Sequence, residues 1–126
     1  MFDNYYEPNQ IDIKKGETVK FVVKNMGELV HEFNIATKEM HIKHQPEMLK
    51  MVAMEILLGD RIDMKKMKEA AKSDHSMAHS HSNSVLLEPN NIGELIWKFT
   101  TDAILEAACN VPGHYQSGMV AKITKL

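Results

Sequence analysis

The chain has 126 residues, 44% of them hydrophobic, and a formal net charge of -2 made up of charged residues of both signs. This length suits one domain spanning 1–126 and is too short for two, and the balanced charge argues against a nucleic-acid partner. No stretch approaches the roughly 20 apolar residues of a membrane span. The first residues lack the basic start and apolar run of a signal peptide. A lone cysteine excludes an internal disulfide.

Alternating apolar residues predict strands in the first third of the chain. Residues 11–13 and 18–24 follow this pattern on either side of a turn at 15–17, so we predict a hairpin or strand pair here. A third strand is predicted over 30–36 and carries His31. Taken alone, a histidine in such a strand is ordinarily half-buried and bonded to backbone.

In residues 38–82 a helical pattern and a polar run replace the strand pattern, and we expect a helical insertion between two strands. A helix is predicted over 46–58, with Pro46 in its first turn and Gly59 as its stop. A second helix is predicted over 60–72. The apolar faces expected for the two helices consist of Met48, Leu49, Val52 and Ile56 in the first and of Met64, Met67 and Ala71 in the second.

This insertion holds seven of the ten methionines and five of the seven histidines. Methionine at helical spacing is ordinarily packing material, and a polar His-Ser run is ordinarily a solvated loop. The alternative is an accessory copper-capturing surface, because thioethers suit Cu(I) and imidazoles suit Cu(II). The accessory candidates are His75, Met77, His79 and His81 in the polar run, with Met40, His41, His44, Met48 and Met51 before it.

The strand pattern returns after the insertion. We predict strands over 84–88, 94–99, 104–108 and 120–124, with a turn at 89–93. Some seven short strands separated by turns imply an all-β sandwich.

The one cysteine opens a loop at 109–119 that reads Cys-Asn-Val-Pro-Gly-His-Tyr-Gln-Ser-Gly-Met. A thiolate, an imidazole and a thioether lie on this loop, at Cys109, His114 and Met119. One more imidazole would complete the set of one Cys, two His and a weak axial Met that is associated with electron-transfer copper. His31 is the candidate for it, which requires the fold to bring its strand to this loop.

These motifs resemble the cupredoxins, small blue-copper proteins of the plastocyanin and azurin type. The likeness rests on the Cys-x4-His-x4-Met spacing, on Val-His-Glu-Phe around His31 and on Gly-Glu-Thr-Val-Lys-Phe at 16–21. It covers roughly residues 5–38 and 84–126. The Val-His-Glu-Phe segment is also similar to that of bacterial periplasmic cupredoxins linked to copper tolerance.

The resemblance implies a Greek-key β-sandwich with one type 1 copper site, in which copper alternates between Cu(I) and Cu(II). Carried over by position, His31, Cys109 and His114 would be the equatorial ligands and Met119 the axial one. Many cupredoxins have Asn directly after the first ligand histidine, where it helps tie the two ligand loops together. This chain has Glu32 there.

The resemblance further implies a periplasmic, non-catalytic protein that works in one-electron transfer, in copper tolerance or in both, with a redox partner docking near His114. Copper sequestration through the Met/His-rich insertion is the alternative. A thiol enzyme built on Cys109 is a third class, although such an enzyme has no evident need for Met119 at this spacing. A structural zinc site is disfavoured, because one cysteine and scattered histidines do not form the usual paired spacing.

Overall fold

The computed structural model describes residues 1–75 and 81–126. Within these residues the chain forms strands and helices that we number in chain order. They are β1 (Gln10–Ile13), β2 (Thr18–Lys24), β3 (His31–Ala36), α1 (Lys38–Ala53), α2 (Met64–Ser73), β4 (Ser84–Leu87), β5 (Ile92–Lys98), β6 (Glu106–Ala108) and β7 (Val120–Lys125).

The strands form two sheets that enclose the main core. The larger sheet has the order β1-β7-β6-β3-β4, with β1 parallel to β7 and the other neighbours antiparallel, and the smaller sheet pairs β2 with β5. Side chains alternate between the faces of a strand, and Phe33 and Ile35 of β3 accordingly join Leu95, Phe99 and Ala121 in this core. The all-β sandwich prediction is confirmed.

A second apolar cluster lies under the helices. It brings Met48, Met51, Ile56 and Met67 together with Val30, which directly precedes β3. Every residue of β3 is buried, because one face of the strand meets the sandwich core and the other faces the helical segment. Neither helix of the described chain combines the length and the apolar content that crossing a bilayer requires.

The prediction that the first two strands form a hairpin or a strand pair is wrong. Residues 15–17 do form a turn, with Gly16 at a φ of 86°, but β1 pairs with β7 and β2 pairs with β5. The turn therefore carries the chain from one sheet to the other. Alternation shows that a segment is a strand, whereas its partner depends on which distant strand buries the same apolar face.

The predicted start of the first helix is also wrong. The helix α1 begins at Lys38, where Thr37 Oγ1 accepts a hydrogen bond from the Met40 N–H at 3.2 Å. Pro46 lies inside the helix instead of opening it. Because Pro46 and Ile42 are both exposed, water can solvate the Ile42 carbonyl that loses its intrahelical donor.

The ends and faces of the helices differ from the prediction as well. Helix α1 stops at Ala53, five residues before the predicted end, and α2 begins at Met64 behind the cap Asp63. Met48 and Ile56 are buried as expected, but Leu49 and Val52 are exposed, at 59% and 40%. The buried face of α1 instead consists of His41, Met48 and Met51.

Candidate metal centre

The sheet register places the ligand loop beside the strand that begins with His31. Residues Asn34 and Ala108 are partners in the β3–β6 ladder, so continuing this antiparallel register sets Glu32 opposite Asn110. In the β6–β7 ladder Ala108 is paired with Val120. The next residues along these strands, Cys109 and Met119, lie opposite each other, and the Cys109 N–H donates to the Met119 carbonyl at 3.2 Å. The residues predicted from distant parts of the sequence therefore meet at one end of the larger sheet.

Three donor atoms converge at this end. The Cys109 Sγ lies 3.4 Å from His114 Nδ1 and 4.0 Å from His31 Nδ1, and the two Nδ1 atoms are 3.2 Å apart. Donors that surround one ion at about 2.0–2.3 Å are separated by about 3–4 Å. The spacing of His31, Cys109 and His114 thus fits a single metal ion, and the three form a group of potential ligands within 4.8 Å of one another.

Burial distinguishes the four predicted ligands. Residues His31, Cys109 and Met119 are fully buried, whereas His114 is only partly buried. Met119 packs in the same apolar cluster as Cys109, and its N–H donates to the His114 carbonyl at 3.1 Å. The backbone of the loop is therefore closed at its base, and His114 is the member of the group nearest the solvent.

The same burial governs the protonation of the donors. Burial lowers the pKa of both His31 and His114, which leaves neutral imidazoles at neutral pH. Burial raises the pKa of the Cys109 thiol to about 12. The thiol is thus protonated until a metal ion displaces the proton.

Glu32 links the two segments that carry these donors. Its backbone N–H donates to Cys109 Sγ with an N···S distance of 3.3 Å. Its carboxylate accepts from the N–H and from the side-chain amide of Asn110, at 3.3 and 3.2 Å. The sequence pointed to Glu32 as a departure from the cupredoxin pattern, but it contained no signal for Asn110.

Asp3 is a further residue that the sequence reasoning missed. Its Oδ1 lies 2.7 Å from Nε2 of His31, on the side of the ring opposite the donor cluster. The polar N-terminal stretch carries no periodicity or motif that relates it to a histidine 28 residues later.

The accessory copper-ligand candidates His41 and His44 do not join the group of three donors. Both ring nitrogens of His41 are engaged, Nε2 donating to the Glu106 carbonyl at 3.1 Å and Nδ1 accepting from Asn110 at 2.9 Å. Both nitrogens of His44 meet carboxylates, at 3.1 Å from Glu32 and 2.9 Å from Glu47. These two imidazoles have no lone pair free for a metal in this arrangement.

The methionines of the insertion divide into two groups. Met48, Met51 and Met67 are buried in the cluster under the helices, while Met40 is 54% exposed. Packing is therefore the role of the three buried thioethers. Of the polar run, His75 and His81 are exposed, and Met77 and His79 lie outside the described residues.

Known proteins resemble this chain in both sequence and structure. The copper-resistant cuproprotein CopI of Pseudomonas aeruginosa is 47% identical over 136 residues, which cover 97% of this chain and 71% of that protein. Proteins of the same name from Rubrivivax gelatinosus and Vibrio cholerae are 30% and 31% identical, and this chain spans 58% and 53% of their lengths. No protein-family model matches the chain.

The similar solved structures are cupredoxins. Reduced auracyanin from Roseiflexus castenholzii superimposes with a TM-score of 0.67 at 15% identity, covering 99% of this chain and 90% of that one. The azurin Az-iso2 from Methylomonas sp. strain J gives 0.58 at 13% identity, covering 99% and 92%. The chain has the cupredoxin fold and, by its identity to CopI over nearly its whole length, it belongs to the family of CopI copper-resistant cuproproteins.

Proposed function

We propose that this chain holds one copper ion in a type 1 site and exchanges one electron through it in copper tolerance. In this proposal His31, Cys109 and His114 are the equatorial ligands and Met119 is the axial one. The observation that carries it is the convergence of two imidazole nitrogens and one thiol sulfur within 4.8 Å. Membership of a family of copper-resistant cuproproteins supports the choice of copper.

The donor set and its surroundings suit one-electron exchange. Copper held by His31, Cys109, His114 and Met119 would supply the Cu(II)/Cu(I) couple, and the Met119 thioether would be a weak donor that tunes the potential. The protein contributes rigidity. His31 opens a buried central strand, Cys109 accepts the Glu32 N–H, and the Cys109 and Met119 backbones are bonded together. Ligands held in this way change position little when the charge on the ion changes.

A partly buried His114 gives the electron a short route to the surface. Beside it, Pro112 and Gly113 of the loop and Ile42 and Leu49 of α1 line an apolar groove. Ile42 and Leu49 are 53% and 59% exposed. We infer that a redox partner docks over this area, because weak electron-transfer encounters need only a small interface and this apolar groove adjoins the partly buried His114.

We also infer that the protein is not an enzyme. A thiol enzyme requires an accessible thiolate, whereas Cys109 is fully buried and its burial raises the thiol pKa to about 12. Residues 1–126 act as one domain in this proposal, because His41 and His44 connect the helical segment to the ligand loop and to β3. The likeness to periplasmic copper-tolerance cupredoxins and the identity to CopI lead us to propose a periplasmic location.

A second role in copper capture rests on the polar run that precedes β4. Within it, His75 and His81 are exposed, and with Met77 and His79 they form the proposed accessory ligands. Among the described residues, His75 and His81 belong to no group of three or more potential ligands, so we expect this copper binding to be weak. Variants with His75 and His81 replaced by Ala, compared with wild type for copper bound beyond one equivalent, test this role.

The main proposal is tested by titrating the apo protein with Cu(II) while recording visible absorption and copper stoichiometry. We expect an intense thiolate-to-copper band that saturates at one equivalent. Colourless copper beyond that first equivalent would favour additional sequestration. The complete absence of a visible band would exclude a type 1 site and with it the electron-transfer role.

A further inference from the structure

The carboxylate of Asp3 lies against the far side of the His31 imidazole. Asp3 Oδ1 is 2.7 Å from His31 Nε2, and the carboxylate also accepts from the backbone N–H groups of Glu28 and Leu29, at 3.1 and 3.2 Å. The Asp3 carboxylate is thus held by donors from three residues. It bridges the N-terminal stretch, the loop before β3 and the first residue of β3 itself.

The N-terminal stretch is anchored on both sides of this carboxylate. Phe2 and Tyr5 form a tight turn, in which the Phe2 N–H donates to the Tyr5 carbonyl at 2.9 Å and the two rings stack at 4.9 Å. The next residue, Tyr6, is buried and its hydroxyl donates to the Glu32 carbonyl. The turn between Phe2 and Tyr5 therefore holds Asp3 in position against His31.

Gly27 provides an independent sign that this contact shapes the loop. A Cβ added at Gly27 would lie 2.2 Å from Asp3 Oδ1 and 2.9 Å from His31 Nε2. Real Cβ atoms do not approach other atoms so closely, so a side chain here would push Asp3 from the ring. The loop accommodates the Asp3–His31 pair only because residue 27 is glycine.

The contact also selects the tautomer of His31. An ionised carboxylate can only accept hydrogen bonds, so Nε2 carries the proton and Nδ1 keeps its lone pair. That Nδ1 faces Cys109 Sγ and His114 Nδ1. A carboxylate behind a ligating imidazole fixes the ring orientation and strengthens the ring as a donor.

We propose that Asp3 is a positioning residue for the metal centre, holding His31 as the Nε2–H tautomer and favouring Cu(II) over Cu(I) by its negative charge. This inference rests on the proposed function, since it assumes that His31 is a ligand. Losing an outer partner of this kind typically weakens metal binding by about 10–100-fold. We expect Cu(II) affinity to fall in the order wild type, D3N, D3A. Asn at position 3 keeps a hydrogen-bond acceptor without the charge, and Ala keeps neither.

The test compares Cu(II) and Cu(I) affinities of D3N and D3A with those of D12N, in which an exposed carboxylate on β1 is neutralised. D3A should lose 10–100-fold in Cu(II) affinity and less in Cu(I) affinity, and D12N should match wild type. For each factor of ten by which the loss of Cu(II) affinity exceeds the loss of Cu(I) affinity, the reduction potential should rise by about 59 mV. Asp3 variants that match D12N in affinity and potential would overturn the inference.

Gly27→Ala provides a second route that leaves the Asp3 charge in the chain. It should weaken Cu(II) binding at least as much as D3A, because the added Cβ displaces Asp3 Oδ1 and also meets His31 Nε2 at 2.9 Å, while Gly59→Ala, where an added Cβ meets only Leu29 at 4.0 Å, should not. If Asp3 merely anchored the N-terminal stretch, these variants would lose stability without changing the preference for Cu(II) over Cu(I).

The His31 tautomer in the apo wild-type protein can be read from imidazole 15N shifts and needs no variant. A proton on Nε2 is expected, and a proton on Nδ1 would overturn the inference even if every variant failed to fold. Failure of the proposed function looks different: wild type then shows no thiolate-to-copper band, whatever the tautomer of His31.

Discussion

Glu32 and Asn110 are joined by two hydrogen bonds at one oxygen, because Glu32 Oε1 accepts from both the backbone N–H and the side-chain amide of Asn110. The other oxygen, Oε2, lies 3.1 Å from His44 Nε2 on α1. A buried carboxylate thus ties the strand of His31 to the loop of Cys109 and also connects this candidate metal centre to the helical segment.

The first prediction concerns the removal of this carboxylate. Glu32→Ala should lower the free energy of unfolding of the apo protein by about 3 kcal/mol, because it leaves the backbone N–H and one amide hydrogen of the buried Asn110 without an acceptor and His44 without its buried partner. Glu47→Ala, which removes the 42% exposed carboxylate on the other side of His44, should cost less than about 1 kcal/mol. Chemical denaturation measures both values, and equal losses would contradict the prediction.

The second prediction concerns the pH dependence contributed by His44. Burial lowers its pKa, but the carboxylates of Glu32 and Glu47 outweigh burial and raise the pKa to about 9. A folded pKa above the unfolded value of about 6.5 means that the stabilisation is fully present below pH 6.5 and is lost as the pH rises through 9.

Comparison with His44→Gln isolates this contribution. The stability difference between wild type and His44→Gln should shrink by about 2–3 kcal/mol between pH 6 and pH 9.5. An NMR titration of the His44 ring should have its midpoint near pH 9, and a midpoint near 6.5 would refute the ion pair.

The third prediction concerns proton release on metal binding. Because the pKa of Cys109 is raised to about 12 and the imidazoles of His31 and His114 are neutral at pH 7, Cu(II) binding should release one proton, that of the thiol. Cu(II) affinity should then rise about tenfold per pH unit above neutrality. Calorimetry in buffers of different ionisation enthalpy counts the protons, and a count of zero would show that the thiol is not a ligand.

The fourth prediction concerns the colour of the copper-loaded protein. Cys109→Ser should abolish the thiolate-to-copper band, since serine supplies no sulfur, while far-UV circular dichroism stays unchanged. Ser84→Ala, which alters a buried hydroxyl residue at the start of β4, serves as a control that keeps the band. A folded Cys109→Ser variant with unchanged colour would show that Cys109 is not a copper ligand.

The fifth prediction separates packing from copper binding among the methionines. Met48 is 2% exposed, so Met48→Ala should lower the free energy of unfolding by about 2–5 kcal/mol through the cavity that it leaves. Met40→Ala, at a 54% exposed position, should change it by less than about 0.5 kcal/mol. Copper stoichiometry should be unaffected in Met48→Ala, and a loss of bound copper there would restore the accessory-site interpretation for this residue.

Residue types alone predicted which side chains of the candidate metal centre lie together, namely His31, Cys109 and His114. Thiolate, imidazole and thioether are the donors that copper prefers, and the spacing of Cys109, His114 and Met119 on one loop could be read directly. Strand-forming segments were likewise visible as alternating apolar residues. The helix limits were less visible, because Pro46 is a strong start signal that the capped turn at Thr37 overrides.

The sequence by itself determined the donor chemistry and the β-sandwich class, because both depend on local residue identity and period. The tertiary structure alone decided which strands pair, and therefore that Glu32 lies opposite Asn110 and that Asp3 reaches His31. These contacts join residues 78 and 28 positions apart. Such pairings depend on which faces the folded chain buries together, and no local pattern of residues records that choice.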